Sequence, residues 1–219
     1  MNLFLTGTDT GVGKTQTAVQ LLRAGRASGL RCAGMKPICC GDRNDAERLL
    51  AASSEGLTID EVNPVWLKTS AAPLSASLIE QVVIDEQRLV DALHKLEDCF
   101  DFVVVEGVGG WLVPIRGDFF VSDLATRMKL PVMVVAQNRL GYLNHTSPTV
   151  RSVVEHGLVC AGVVWDDTAG LTDIASTTNA DILRQMLDVP ILPMLAEEAA
   201  ELTAEWRTAV GFFGNAAVP

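Results

Sequence analysis

A glycine-rich stretch near the start of the chain, GTDTGVGKT at residues 7–15, constrains the fold more than any other feature. It follows a short apolar run at 2–6, which predicts a β-strand, and it opens a helical pattern at 14–26. Glycines at a strand-to-helix turn let the backbone fold tightly, so that successive N–H groups can point at a phosphate. The order of strand, glycines, lysine and hydroxyl predicts a phosphate-binding loop, or P-loop.

Each residue type in this loop has an expected chemical role. The helix N-terminus favours an anion, Lys14 would bridge the β- and γ-phosphates of a nucleotide, and the Thr15 hydroxyl would bind Mg²⁺. The loop is one residue longer than the usual pattern, because five residues separate Gly7 from Gly13. The alternative is a glycine-rich turn that ends in Lys-Thr by chance. The residues expected to contact the nucleotide are Thr8, Asp9, Gly11, Val12, Gly13, Lys14 and Thr15.

Short apolar runs alternate with helical patterns along the rest of the chain. The runs FVVVE at 102–106, PVMVVA at 131–136 and CAGVVW at 160–165 are typical of strands buried on both faces. This alternation predicts one α/β P-loop domain over 1–210, with a mostly parallel central sheet flanked by helices. Residues 211–219 are expected to fray, and the less regular stretch 56–77 is predicted to be an insertion or lid near the site.

The formal net charge of −10 bears on the partners of such a domain. It disfavours nucleic acid or an anionic membrane as the main partner, and it means that positive charge must be supplied locally where a nucleotide binds. The five cysteines form no metal-like CxxC pair, which favours free thiols in a reducing compartment. The sequence predicts neither a signal peptide nor a membrane span, and a cytoplasmic location is expected.

Three charged residues outside the loop are candidates for the same site. Glu106 is predicted to end the FVVVE strand before a flexible glycine loop at 107–110, where its carboxylate suits a Mg²⁺ ligand. Lys36 ends a predicted strand at 30–37, where burial is costly unless the ammonium meets an anion. Asp45, in the first turn of a predicted helix, is a candidate further ligand. The alternatives are a surface carboxylate for Glu106, a solvated Lys36 and helix-dipole compensation by Asp45.

These motifs together resemble the dethiobiotin synthetase family. GTDTGVGKT with its extra residue, GMKP at 34–37, VEGVGGWLVP at 105–114 and LGYLNH at 140–145 follow the order of the family, and the likeness covers about 2–165. The resemblance implies an ATP- and Mg²⁺-dependent cyclo-ligase of biotin biosynthesis. In that reaction 7,8-diaminononanoate takes up CO₂ as a carbamate, ATP phosphorylates it to a carbamic–phosphoric anhydride, and the second amine closes the ureido ring.

The resemblance also implies roles for individual residues. Lys14 and Lys36 would stabilise and position anions, and with Thr10 they form the implied catalytic set. The residues implied to hold Mg²⁺ are Thr15, Asp45 and Glu106. Those implied to contact the substrate are Thr10, Lys36, Cys40, Gly109 and Asn144.

A homodimer is a further implication of the resemblance, with the loop matching 141–144 reaching into the site of the partner subunit. Asn144 would then help to hold the distal carboxylate of the substrate, aided by the N-terminus of the following helix. The alternative for Asn144 is a plain helix N-cap. His145 is expected to pack or cap locally.

The chain departs from the family pattern at three points. Cys40, a weak hydrogen-bond donor, replaces a small hydroxyl residue, and a redox role for the Cys39-Cys40 pair is the alternative. The segment after Gly41 is shorter than usual, so that the assignment of Asp45 depends on the alignment. Asp166 stands where the family has an adenine-reading asparagine, and an ionised carboxylate suits guanine better. The expected cofactors are therefore ATP, or another nucleoside triphosphate, and Mg²⁺.

Two other functions stay open on the sequence alone. A partitioning-type ATP-switch protein would share the fold, but such proteins usually carry a second lysine early in the loop, where this chain has Thr8, Asp9 and Thr10. A related P-loop ligase would act on another small amine or carboxylate. Activity with the diamine separates these possibilities.

Overall fold

A six-stranded sheet lies at the centre of the computed structural model, which describes residues 2–167, 174–196 and 202–211. Its strands are β1 (Asn2–Gly7), β2 (Cys32–Met35), β5 (Phe102–Gly110), β8 (Val132–Gln137), β9 (Cys160–Asp166) and β10 (Ile191–Pro193). Their order across the sheet is β10-β9-β8-β1-β5-β2, and each neighbouring pair is parallel. The predicted α/β fold with a parallel central sheet is confirmed.

Helices cover both faces of the sheet, as parallel strands require. They are α1 (Lys14–Ala27), α2 (Asn44–Ala52), α3 (Ile59–Val62), α4 (Pro73–Glu80), α5 (Glu86–Glu97), α6 (Val121–Met128), α7 (Tyr142–Glu155), α8 (Ile174–Met186) and α9 (Ala204–Val210).

Two hydrophobic clusters form the core, one on each side of the sheet. Side chains alternate along β1, so that Phe4 joins one cluster and Leu5 the other. Helices α1, α2 and α9 pack on the Leu5 side, where Trp206 is fully buried, and α5 to α8 pack on the Phe4 side. Each such buried side chain contributes about 1.5–3 kcal/mol, and together they fix the strand ends that carry the site.

The stretch 56–77, predicted to be irregular, contains short regular elements. Thr58 caps α3 through a capping box with Glu61. β3 (Ile38–Cys40) pairs in parallel with β4 (Val65–Leu67), and the stretch ends inside α4. The elements α3 and β4 are no longer than four residues, too short for sequence periodicity to reveal.

The expectation that β5 ends at Glu106 is wrong. β5 continues through the glycine-rich stretch to Gly110, which pairs with Gly7 after a register shift in β1. A Cβ at Gly110 would lie 3.3 Å from the Gly7 carbonyl oxygen, so that the absence of a side chain permits this close approach. A two-stranded antiparallel pair follows, β6 (Pro114–Arg116) and β7 (Phe119–Phe120).

Two sequence predictions concern the C-terminal tail and membrane-spanning helices. Most of the tail predicted to fray, residues 212–219, lies outside the described residues, and the proposed domain limit at 210 stays a prediction. Within the described ranges, no helix is both long and apolar enough to cross a membrane.

Candidate active site

The phosphate loop connects β1 to α1 and holds two glycines with positive φ. Gly11 and Gly13 have φ of 73° and 95°, in the left-handed region that side chains disfavour. A Cβ at Gly13 would also lie 2.5 Å from Met194 and 3.0 Å from a carboxylate oxygen of Asp166. The loop backbone therefore packs directly against the ends of β9 and β10, and only glycine fits at position 13.

Lys14, the first residue of α1, is almost fully buried beside this loop. Its ammonium donates a hydrogen bond to the backbone oxygen of Asp9 at 2.9 Å. Burial lowers the pKa of Lys14 to about 8, and the nearby positive charge of Lys36 acts in the same direction. An anion bound in the loop, such as a phosphate, would offset both the burial of Lys14 and its repulsion from Lys36.

Four residues from different elements converge next to Lys14, and we call Thr15, Lys36, Asp45 and Glu106 the Lys36 cluster. The Lys36 ammonium lies 2.6 Å from Glu106 Oε1 and 2.8 Å from Asp45 Oδ2. The Thr15 hydroxyl oxygen lies 2.8 Å from Glu106 Oε1 and 2.8 Å from Asp45 Oδ1. The Thr15 hydroxyl has one proton, so it can donate a hydrogen bond to only one of these two carboxylates at a time. The oxygen atoms of Thr15, Asp45 and Glu106 therefore lie close together around a common point.

Electrostatics in the Lys36 cluster favours the charged forms. Burial alone would lower the pKa of Lys36, but Glu106 and Asp45 outweigh it and raise that pKa above its ordinary value. Burial alone would raise the pKa of Asp45, but Lys36 and the hydrogen bond from the Thr15 hydroxyl outweigh burial and lower that pKa below its ordinary value. Lys36 and Asp45 are thus kept charged, although Lys36 is only 4% exposed.

The oxygen set of the Lys36 cluster fits Mg²⁺. Glu106 Oε2 is buried and has no hydrogen-bond partner among the described residues, so it is available to a ligand. A hydroxyl and two carboxylates are the hard oxygen donors that Mg²⁺ prefers, with phosphate oxygens and water completing its shell. No group of three or more His, Cys, Asp or Glu side chains suited to a metal occurs in the described part of the chain.

The cluster lines a main cavity of about 670 Å³. Of the residues singled out from the sequence, the main cavity brings together Thr10, Gly11, Gly13, Lys14, Thr15, Lys36, Cys40, Asp45, Glu106 and Gly109. Residues 70–73, which lead into α4, also line the main cavity. The stretch predicted to be an insertion or lid thus does lie at the site.

Cys39 and Cys40 end β3 and both line the main cavity, Cys39 as a buried side chain and Cys40 as a partly buried one. Burial raises the pKa of the Cys40 thiol to about 11, with the charge of Glu80 acting in the same direction. The pKa of Cys39 is raised to about 12, again chiefly by burial. Both thiols are therefore protonated near neutral pH, which does not favour the redox role considered for this pair.

Asn144 lies outside the main cavity, in an adjacent one of about 400 Å³ that we call the Asn144 cavity. Thr8, Asp9 and Thr10 line one wall of it, and Thr10 also lines the main cavity. The N-cap of α7 is Gly141, and Asn144 is the third residue of that helix, so the N-cap alternative for Asn144 is wrong. His145 is exposed, and its backbone oxygen accepts a hydrogen bond from the Thr149 hydroxyl.

Asp166 also lies outside the main cavity, as the last residue of β9. It is buried behind Gly13 of the phosphate loop, next to a third cavity of about 390 Å³. This Gln20 cavity, as we name it, is lined by Gln16, Gln20, Trp165, Asp167 and residues 193–196. The side chain of Gln16 is shared with the main cavity.

Asn138 is a buried residue that sequence reasoning missed, and it connects the end of β9 to α8. Its backbone N–H donates to the Asp166 oxygen at 2.7 Å, and its amide donates to Asp167 Oδ1 at 3.1 Å and to the Ser176 oxygen at 2.8 Å. Asn179 donates in turn to the Asn138 side chain at 3.0 Å. A polar residue two positions after the apolar 131–136 run was the available signal.

Arg48 and Gln16 were missed as well, although both line the main cavity. Arg48 lies three residues after Asp45 on α2, and this spacing puts the two side chains on one helix face. That periodicity was the sequence signal that could have found Arg48.

Comparisons with known proteins identify the family. A family model described as an AAA domain matches residues 1–204. The ATP-dependent dethiobiotin synthetase BioD of Akkermansia muciniphila is 41% identical over 191 residues, which cover 87% of this chain and 90% of that protein. Two solved structures share the fold at low sequence identity, and they support the architecture alone.

The first of these is cobyrinic acid a,c-diamide synthase from Mycobacterium smegmatis with a bound ATP analogue and magnesium. It is 17% identical with a TM-score of 0.55, over 90% of this chain and 88% of that chain. The second is the cell division ATPase MinD of Pyrococcus furiosus, 16% identical with a TM-score of 0.57, over 89% and 84%. A diamide synthase and a cell division ATPase thus share this fold, whereas 41% identity over most of both chains is far more specific. The chain belongs to the family of ATP-dependent dethiobiotin synthetases.

Proposed function

We propose that this chain catalyses the ATP-dependent closure of the ureido ring of dethiobiotin from 7,8-diaminononanoate and CO₂. The observation that carries the proposal is the Lys36 cluster, which gathers a buried cation, two carboxylates and a hydroxyl beside the phosphate loop. Family membership favours this ligase over both a partitioning-type switch protein and a ligase for another substrate.

ATP and Mg²⁺ are the cofactors of this reaction. Thr15, Asp45 and Glu106 would hold the metal, which would neutralise charge on the phosphates. Lys14 would bind the β- and γ-phosphates from the loop, and binding there would restore the charged state that burial disfavours. Backbone N–H groups of the loop would add further donors at the N-terminus of α1.

Lys36 would stabilise the anions formed along the reaction. One substrate amine adds to CO₂ and loses a proton to give a carbamate. A carbamate oxygen attacks the γ-phosphorus while the bond to the ADP oxygen breaks, and the second amine then attacks the carbonyl carbon and expels phosphate. Each of these species is anionic, so a fixed ammonium close to the transferred group lowers the barrier without serving as a nucleophile. Thr10 and Gly109 would position the diamine end within the main cavity.

The tail of the substrate would lie in the Asn144 cavity. Thr10 lines both that cavity and the main one, so a long substrate can extend from one into the other. Trp111 and Leu112 offer apolar surface for the methylene chain, and Asn144 offers an amide for the distal carboxylate. Asn144 and Leu112 are exposed in the single chain, which supports a homodimer whose second subunit completes this part of the site.

The nucleobase is the finer part of the proposal. The Gln20 cavity adjoins the phosphate loop on the side of β9 and β10, where the nucleoside of a bound nucleotide would extend. Asp166 in place of asparagine supports a relaxed or non-adenine preference. Strong and exclusive use of ATP in competition with GTP and CTP would contradict that preference and leave the ligase reaction itself untouched.

The reaction is tested directly with the purified protein, Mg²⁺, bicarbonate and 7,8-diaminononanoate, with ATP, GTP or CTP in separate samples. We expect dethiobiotin by mass spectrometry, with one phosphate released per product. The matched control is Lys14→Met, which should abolish both signals. Phosphate release without dethiobiotin would favour another substrate, and silence from a folded, nucleotide-binding protein would rule out the proposed reaction.

A further inference from the structure

Arg48 is a cationic side chain of the main cavity to which neither the sequence motifs nor the proposed reaction gives a role. It lies on α2 one turn after Asp45, is exposed to solvent, and lines the main cavity together with Lys14 and Thr15. Its guanidinium donates to the side-chain oxygen of Gln16 on α1. No carboxylate within the described ranges forms an ion pair with it, so its charge is free for a ligand.

Gln16 indicates which part of a ligand would meet Arg48. It follows Thr15 directly and lines both the main cavity and the Gln20 cavity. A nucleotide with its terminal phosphates at Lys14 and its nucleoside in the Gln20 cavity must pass Gln16 at the junction between them. The group at that junction is the α-phosphate.

The charges of the main cavity give Arg48 a reason to bind phosphate. A nucleoside triphosphate carries about four negative charges, of which a bound Mg²⁺ offsets two. Among the three cations that line the main cavity, Lys36 is already held by Glu106 and Asp45 at 2.6 and 2.8 Å. Lys14 supplies one further charge at the loop. Arg48 is the remaining lining cation in the described part of the chain, and its planar fork of donors matches two phosphate oxygens.

We propose that Arg48, positioned by Gln16, is a nucleotide-binding residue that contacts the α-phosphate at the junction of the main and Gln20 cavities. The inference rests on the proposed function only in taking a nucleoside triphosphate as the ligand. It needs neither the diamine nor product formation. The contact serves affinity for the nucleotide, and the chemistry at the γ-phosphate stays with the Lys36 cluster.

Titration calorimetry of the full chain with Mg-ATP and with Mg-ADP tests this role. Arg48→Gln should raise both dissociation constants about tenfold and leave their ratio unchanged, because the α-phosphate is common to both nucleotides. Arg48→Lys keeps the charge but lacks the planar fork of donors. Its dissociation constants should therefore lie between those of Arg48→Gln and those of the original protein. The matched control is Arg23→Gln, an exposed arginine on α1 that lies away from the lining of the main cavity and should change neither constant.

Two results would overturn the proposal. Dissociation constants for Arg48→Gln equal to those for Arg23→Gln would make Arg48 a solvated side chain. A loss confined to ATP would place Arg48 at the γ-phosphate instead. Measuring dethiobiotin formation in parallel keeps the two proposals apart, since nucleotide binding that depends on Arg48 without product would refute only the ligase reaction.

Discussion

The Lys36 cluster and the Asn144 cavity lie on either side of Thr10 and are built in opposite ways. In the cluster, Lys36 and Glu106 are 4% and 1% exposed and bond to each other directly. Asn144, by contrast, is exposed on the first turn of α7. Under the proposed function, the chemical steps would depend on geometry fixed within one chain, whereas recognition of the substrate tail would depend on side chains that a ligand or a second subunit must order.

This difference has an energetic consequence. A change inside the cluster affects folding and catalysis together, since removing one buried charge leaves its partner unpaired. A change in the Asn144 cavity should affect substrate binding alone, because the side chain is already hydrated in the free protein. Each side of the comparison can therefore be tested by a separate measurement.

The largest effect is expected for Lys36→Met. It removes the cation proposed to stabilise the transferred group, and kcat/KM should fall by about 10³-fold or more. It should also lower the free energy of unfolding by about 3–5 kcal/mol, because Glu106 stays buried without its partner. Steady-state kinetics and urea unfolding measure the two quantities.

The double variant Lys36→Met with Glu106→Gln separates the effect on activity from the effect on stability. It should recover much of the stability and none of the activity, since the unpaired charge is gone while the catalytic ammonium is still missing. Lys95→Met, on the exposed face of α5, is the matched control and should change neither quantity. Recovery of activity in the double variant would show that Lys36 is only structural.

The two carboxylates of the cluster should differ in their effect on Mg²⁺ dependence. Glu106→Gln should raise the Mg²⁺ concentration for half-maximal activity by about 10²-fold, because its carboxylate is buried and has an oxygen free for a ligand. Asp45→Asn should raise it less, since the Asp45 side chain is 45% exposed and water can replace part of its contribution. A titration of activity against Mg²⁺ compares them, and equal or reversed effects would contradict the assignment.

The sequence predicts those parts of the site that depend on local signals, and it fails where distant contacts decide the structure. The phosphate loop and Lys36 are recognisable because local signals suffice, namely glycines between a strand and a helix and a charge directly after an apolar run. The interpretation of 107–110 as a loop failed because glycine is a breaker on average, whereas here its missing side chain lets β5 continue beside β1. Local propensity was overridden by a contact between residues about a hundred positions apart.

Asn138 and Arg48 show the other limit of the sequence. The role of Asn138 depends on α8 and the end of β9 meeting around it, and that of Arg48 depends on α1 and α2 packing side by side. A local pattern can mark each of these residues as a candidate, but it encodes neither packing arrangement. The role of a residue that depends on an encounter between distant elements is visible only after the fold is known.

A moderate effect is expected for Asn144→Ala. The KM for 7,8-diaminononanoate should rise about tenfold, because a hydrogen bond to a charged carboxylate contributes about 1.5–3 kcal/mol, while kcat and the KM for ATP should stay unchanged. Glu155→Ala, an exposed change on the same helix that lies away from the lining of the Asn144 cavity, is the control. A fall in kcat instead would place Asn144 with the chemistry and remove the contrast between the two regions.

The smallest effect is expected for Cys40→Ser, which restores the hydroxyl usual in the family. The KM for the diamine should fall by about two- to fivefold, since a hydroxyl donates a stronger hydrogen bond than a thiol. Burial raises the pKa of the Cys40 thiol to about 11, so the thiol stays neutral over the working range and gains charge only as the pH approaches that value. The pH–rate profiles of the two proteins should therefore superimpose in shape between about pH 6 and 9. A basic limb that disappears in Cys40→Ser would show that the thiolate takes part, and the main cavity would then owe part of its chemistry to a residue outside the Lys36 cluster.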